Sequence, residues 1–447
     1  MSTAFTEAEI RAWAAEACPG TVTRAQRVAG GNRCQGWAID VQKADGSDVP
    51  LFLRFQAFET TGVEPFTTRR EAEIYRALQP TRVPIPRLIA LHPTRQAMLT
   101  ERVSGQAEFR HLKDESHKAT IAREFAAALA ELHRQDVRRL AIRGLAVPAT
   151  VTEAVRAELA LWWAMYQETE RPDALIEFGR DWLAANLPEV PDVPSLIHGD
   201  AGPGNFLFEN GHLTTLLDWE LAHLGDPMED LAWLSMRSVM EPVPSLPDCL
   251  DEYDRHAAAP VDVARLRYHR ALVSFRVCII RHRNVSGEPG ASLVSRTLNR
   301  RLLVTAIAEA SGATLPEIPV ARGSSDSDAL YEHVLAELRD TIVPRSTDRV
   351  VIGKTKDLSK VVKYLQAQGS IGADAARLER DAIASALGRR PESLETGRAA
   401  LVAAIRAGTL DRERALACFA VLTGLETQLA AGAMGGLAKR GFPPLGR

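Results

Sequence analysis

Leu196-Ile197-His198-Gly199-Asp200-Ala201-Gly202-Pro203-Gly204-Asn205-Phe206 is the stretch on which the reading of this chain turns. A short apolar run leads into a loop that its glycines and proline keep out of helix. The loop carries an aspartate and, five positions later, an asparagine. Downstream, Leu213-Thr214-Thr215-Leu216-Leu217 reads as a second apolar strand, ending in Asp218-Trp219-Glu220. Phosphoryl transfer asks for such groups: a carboxylate to orient or deprotonate an acceptor hydroxyl, hard oxygen donors for a metal, and cations or backbone amides around the phosphates.

Asp200 and Asn205 have the spacing of the kinase catalytic loop H-R-D-x-x-x-x-N, which makes Asp200 the expected base and Asn205 an expected magnesium ligand. Asp218, at a strand end like the aspartate of D-F-G, is the expected principal metal ligand. His198 is expected to hold the loop rather than to transfer protons.

Upstream, Arg27 to Arg33 contains Gly30-Gly31 and breaks any helix; Trp37–Val41 and Leu51–Phe55 read as strands about a turn at Ala44–Ser47. Thr68–Leu78 reads as a helix and Ala97–Val103 as a further strand. From Lys118 the texture is helical, with stretches at 119–134, 151–168, 180–187, 227–236 and 261–285. The expectation is an α+β chain with a strand-rich lobe over 1–104 and a helical lobe over 105–313. Residues 314–328 are polar, carry proline and glycine without periodicity, and read as a linker. Beyond it Leu330, Val334, Leu338 and Ile342 recur every four residues, and Leu358, Val361, Val362 and Leu365 mark another helix face. With stretches at 373–387, 394–407 and 412–433, this predicts a separate all-α domain over 329–437.

Composition bounds the partners. The chain has 447 residues, 46% hydrophobic and 25% charged, with a formal net charge of -3, so no basic field favours nucleic acid. Its five cysteines form no C-x-x-C pair, which fits a reducing compartment. No stretch reads as a membrane span and the opening residues do not read as a leader, so no membrane association and cytoplasmic residence are the default expectations.

His198-Gly-Asp-x-x-x-x-Asn205, Leu217-Asp218-Trp219-Glu220 and Gly225-Asp226-Pro227-Met228-Glu229-Asp230-Leu231-Ala232 together resemble the aminoglycoside phosphotransferase and choline kinase family, over roughly residues 25 to 310. The resemblance implies a protein-kinase-like two-lobed fold working with ATP and Mg2+. It further implies that Gly30, Gly31 and Asn32 lie over the nucleotide phosphates, that Glu71 pairs with the strand cation, and that Thr100, Glu101 and Val103 belong to the adenine-side hinge. Asp226 and Asp230 would anchor the second lobe. The strand position that usually carries a phosphate-contacting lysine is Arg54, which keeps the charge but has a different reach and a planar fork.

Plainer readings stand beside these. Paired glycines more often make turns than nucleotide loops. Arg276, Arg281 and Arg283 read first as the basic edge of a buried helix stripe and second as lining for an anionic substrate. Trp162, Trp163 and Tyr166 read as packing. The segments after Asp230 are basic and apolar, which argues against a polycationic acceptor. The likeness also extends to the kinase-like part of acyl-CoA dehydrogenase fusions, implying a small-molecule hydroxyl acceptor, first a hydroxyacyl-CoA or hydroxy acid. Aminoglycoside, choline or homoserine-type kinases are the alternatives, as is a nucleotide-binding regulatory pseudokinase, suggested by Arg54 and the appended module. The tail resembles a small bacterial helical domain of unknown function and is a candidate for homodimerisation or protein docking.

Overall fold

The computed structural model describes residues 5–28, 34–56, 62–283 and 289–447. Its first lobe is an antiparallel sheet of β1 (Thr21–Val28), β2 (Cys34–Gln42), β3 (Asp48–Gln56), β4 (Leu88–Leu91) and β5 (Ala97–Glu101), ordered β1-β2-β3-β5-β4. Period-2 alternation sends Leu51, Leu53 and Phe55 to one face, where they pack with Ile39, Val41 and with Ile10, Trp13 and Ala14 of α1 (Glu7–Ala17). Thr6 and Glu9 close a capping box at the start of α1. Arg54, between Leu53 and Phe55, therefore projects from the opposite face. There α2 (Thr68–Leu78) presents Glu71.

The helical part runs through α3 (Glu115–His133), α4 (Val137–Leu140), α5 (Val151–Gln167), α6 (Ala174–Ala185), α7 (Pro227–Met240), α8 (Leu246–His256), α9 (Val263–Arg283) and α10 (Pro289–Ser311). Between α6 and α7, β6 (Ser195–Ile197) pairs with β9 (His223–Gly225), and β7 (Phe206–Glu209) with β8 (His212–Leu216). These short ladders frame the loop from His198 to Asn205 and the strand end at Asp218. A kinase-like α+β architecture results, with a β-rich first lobe and a helical second lobe.

Contacts divide the chain into two compact units: Met1–Ala157, Glu189–Val263 and Pro443–Arg447 form one, Glu158–Pro188 and Ala264–Phe442 the other. The expected cuts at 313 and 329 are not where these units part. The helices beyond α10, namely α11 (Asp328–Ala336), α12 (Arg349–Leu387), α13 (Leu394–Arg406) and α14 (Arg412–Met434), group with α6 and α10: α12 and α14 pack on α10, α13 on α6, and α11 on α12. Phe419 of α14, for example, packs against Phe178 of α6 with ring centroids 5.2 Å apart and the planes tilted by 32°.

Residues 314–328 behave as a strap rather than a free linker. Ala321 is buried, its N–H donates to Gln428 Oε1 at 2.9 Å, and Gln428 Nε2 donates to Pro319 O at 2.8 Å. The Arg322 N–H donates to Asp374 at 2.9 Å. A Cβ on Gly323 would lie 2.0 Å from Ser370 O, so only glycine lets the strap lie this close to α12. The helix faces expected near 358–365 and 373–387 belong to one helix, α12, which passes through Gly369 and Gly372. Each interior glycine costs about 1 kcal/mol against alanine, a cost that tertiary packing overrides. Contrary to the sequence expectation, the segment Arg412–Lys439 is long and apolar enough to cross a membrane, by length and composition only; 56% of its most apolar window is buried inside the protein.

Candidate active site

β6 delivers the chain into the loop that runs to Asn205. Gly199 there has φ +78°, and a Cβ would lie 2.2 Å from Leu221 O, so the turn requires glycine. Fully buried Asp230 on α7 fastens the loop: it accepts from the His198 N–H at 2.7 Å and the Gly199 N–H at 2.8 Å, and pairs with His133 Nε2 at 2.9 Å. Burial pushes the Asp230 carboxyl up, but the His133 hydrogen bond and the nearby histidines outweigh this and hold it below the usual carboxylate range. Asp226 caps α7, accepting from the Met228 N–H at 2.9 Å. His198 Nε2 donates to Leu217 O at 2.8 Å, which leaves Nδ1 to accept from the Asp200 N–H at 3.3 Å. The histidine thus ties the loop to the strand end carrying Asp218.

Asn205 Nδ2 donates to Asp200 O at 2.8 Å and to Asp200 Oδ2 at 2.9 Å. With Nδ2 committed, Oδ1 is the atom of Asn205 that can meet a cation. Arg237 Nη2 lies 3.4 Å from Asp200 Oδ2. Its stem passes over the loop glycines, its Cδ 2.8 Å from where a Cβ on Gly202 would stand. Burial raises the Asp200 pKa above the ordinary value, Arg237 pulls against that, and Asp218 adds to it. A carboxylate raised in this way is suited to accepting a proton.

Asp218 follows β8 in the left-handed region at φ +64°, which aspartate tolerates better than most residues. Arg54 Nη2 donates to Asp218 Oδ1 at 2.6 Å and to Glu220 Oε2 at 2.7 Å, while Arg54 Nε lies 3.4 Å from Glu71 Oε2. Burial alone would raise the Asp218 carboxyl; Arg54 brings it below the usual range. Glu71 is more deeply buried and shares its arginine with two other carboxylates, so burial dominates and its pKa is pushed up to about 8.

The structure therefore brings Arg54, Glu71 and Asp218 into one cluster and Asp200 with Asn205 into another, bridged by His198. Gly30, Gly31 and Asn32 lie outside the described residues. Thr100 is buried on β5 opposite Phe52, Glu101 opposite Leu51, and Val103 follows the strand half-buried. The Glu101 N–H donates to Arg87 O at 2.9 Å. Sequence reasoning missed Arg237, the part of Glu220, and Arg70, whose guanidinium donates to Glu220 O at 3.3 Å and Ala222 O at 2.5 Å. One signal for Arg237 was available: it stands seven residues after Asp230, on the same face of α7. Arg276 is fully buried over the Trp162 ring at 4.9 Å and 3.5 Å from Glu158, and Arg283 pairs with Glu168 at 3.0 Å, which gives the arginine stripe of α9 a packing role. Trp163 and Tyr166 likewise pack together, ring centroids 4.9 Å apart.

The profile of the Phosphotransferase enzyme family matches residues 31–271. Among curated proteins, human acyl-CoA dehydrogenase family member 11 is 27% identical over 179 residues, covering 37% of this chain and 22% of that protein. Its chicken counterpart is 35% identical over 109 residues, covering 24% and 14%. Probable acyl-CoA dehydrogenase IBR3 of Arabidopsis thaliana is 26% identical over 251 residues, covering 47% and 30%. The chain thus spans less than a third of the length of these relatives. Among solved structures, aminoglycoside phosphotransferase APH(4)-Ia aligns with a TM-score of 0.52 at 16% identity, covering 69% of this chain and 100% of that one. A thermostable mutant of it in complex with ADP and hygromycin B aligns at 0.51 and 16%, covering 68% and 99%.

Proposed function

Because this chain belongs to the phosphotransferase enzyme family, we propose that it transfers the γ-phosphoryl group of ATP to a hydroxyl of a small anionic molecule, first a hydroxyacyl-CoA or hydroxy acid. The observation that carries the reading is Asp200 braced by Asn205, with Arg237 beside it. In this reading Asp200 orients the acceptor hydroxyl and takes its proton. Arg54 and the backbone of the Gly30-Gly31-Asn32 loop neutralise phosphate charge, Glu71 steadies Arg54, and Thr100, Glu101 and Val103 border the adenine.

The donor set fits Mg2+. Among the described residues there is no group of three or more His, Cys, Asp or Glu that could hold a metal. Magnesium needs none, since it binds through one or two carboxylates with phosphate oxygens and water. Asp218 and Asn205 Oδ1 would hold it, and bound there it would supply charge neutralisation between the phosphates.

The acceptor class rests on Arg237. Its side chain is 27% exposed and its Nη2 lies 3.4 Å from Asp200 Oδ2. A guanidinium with donors to spare beside the base suits a carboxylate or phosphate on the acceptor and repels an aminoglycoside or choline. The likeness to acyl-CoA dehydrogenase family proteins points the same way. A regulatory pseudokinase is the second reading, favoured by the commitment of Asp218 and Glu220 to Arg54. ADP release with ATP and Mg2+ over hydroxyacyl-CoA thioesters, hydroxy acids, choline, homoserine and aminoglycosides separates the readings. Turnover of the acids that Asp200→Asn abolishes is the expected result. Turnover of amines alone removes the acceptor class, and nucleotide binding without turnover on any acceptor selects the pseudokinase.

A further inference from the structure

Large exposed apolar side chains are unevenly spread: of thirteen among the described residues, seven lie between Leu330 and Leu365. That segment is a helical hairpin within the second compact unit. α11 continues into a π-helical turn, Glu337–Ile342, the chain reverses, and α12 returns. Ser370 Oγ donates to Asp328 at 2.9 Å and Gln366 Nε2 to Glu332 at 2.9 Å, so the two arms are antiparallel and their rotation is fixed.

At about 100° per residue, Val351, Leu358 and Leu365 fall within roughly 40° of one another on α12. They are 42%, 55% and 48% exposed. Leu330 and Val334, four apart on α11, are 69% and 43% exposed and share a strip by the same rule. With the arms cross-linked through Asp328 and Glu332, helix handedness turns both strips to the same side of the hairpin, where Ile342 extends them. Lys356, Lys360 and Lys363 fall on a different edge of α12, and Lys354 is the one lysine of this stretch of α12 that stands between Val351 and Leu358 on the face.

We propose that this face is the interface between two copies of the chain, two hairpins packed as a four-helix bundle. The seven-residue spacing of Val351, Leu358 and Leu365 is the period of a coiled-coil seam, the pattern that lets one helix lie along another. It is also self-complementary. About a two-fold axis at Leu358, an antiparallel second α12 sets Val351 against the partner's Leu365 and Leu358 against its own copy, as an isologous contact requires. The six side chains of this face expose roughly 500 Å² of apolar surface per copy, toward the upper end of what monomers leave in one patch.

Sedimentation equilibrium of the full chain tests this. The wild type is expected to be a dimer at micromolar concentration, and Leu358→Glu a monomer with a dissociation constant raised at least about 100-fold. The half-exposed position should leave helicity and thermal midpoint unchanged. As a second route, Leu358→Cys is expected to form a disulfide-linked dimer on mild oxidation, whereas Lys360→Cys is not. A monomeric wild type, a dimer that survives Leu358→Glu, equal cross-linking of both cysteine variants, or a monomer that sediments with anionic lipid vesicles overturns the proposal.

Discussion

Arg54 Nη2 and Asp218 Oδ1 are 2.6 Å apart although 164 residues separate them in sequence, so the cation of β3 and the carboxylate beyond β8 form one charged pair. Glu220 accepts from the same nitrogen, and Glu71 lies along the Nε side. A planar fork can serve several carboxylates at once, whereas an ammonium acts as a point charge. Arg54→Met is therefore expected to lower kcat/KM by about 10²-fold or more, as loss of a preorganised charge does. Arg54→Lys should keep the charge and retain turnover within roughly tenfold. Initial rates over an ATP series check this, and full activity in Arg54→Met would remove the arginine from phosphate binding.

In the proposed mechanism Arg237 would tune the pH at which Asp200 acts as base. Burial raises the Asp200 pKa and Arg237 is the first influence opposing it. A base must be ionised, so activity falls as pH drops through that pKa. Removing the cation lets the pKa rise further, so Arg237→Gln should move the acid limb of the kcat/KM profile to higher pH. The same variant should raise KM for an anionic acceptor about tenfold, the scale of a lost charge-assisted hydrogen bond. KM for ATP should hardly change. An unmoved acid limb would detach Arg237 from the base.

The boundary between what the sequence revealed and what it hid follows the range of the interactions. His198, Asp200, Asn205 and Asp218 lie within about twenty residues and two short strands, so spacing alone grouped them. The alternation of Leu51, Leu53 and Phe55 likewise fixed which face Arg54 leaves by. Glu220 has no such local signature, because its partner comes from another element, and the one signal for Arg237, its place seven residues after Asp230, does not point to Asp200 as its partner. The tail misled at two points. The stretches at 358–365 and 373–387 read as two helices, because local propensity cannot register the packing that carries α12 through Gly369 and Gly372. The polar, proline-bearing run before Asp328 looked free because its hydrogen bonds go to Asp374 and Gln428, far along the chain. α10, 23 residues long, lacked a clean apolar stripe, since buried Thr297 and Asn299 interrupt it.

Asp230 separates folding from chemistry. It touches none of the groups assigned to phosphoryl transfer, yet two loop amides and His133 all bond to its carboxylate. Asp230→Ala leaves those donors buried without an acceptor, and the cost expected is about 3–5 kcal/mol of stability, as for breaking a buried charged network. Asp230→Asn keeps one acceptor oxygen and should lose less. The pH dependence carries the sign. A carboxyl whose folded pKa lies below its unfolded value stabilises the protein above the ordinary carboxylate range, and that contribution disappears as pH falls through the folded value. Urea unfolding of the wild type should therefore weaken on acidification by more than that of Asp230→Ala. Parallel decline in the two proteins would show that the loop is held by something other than this carboxylate.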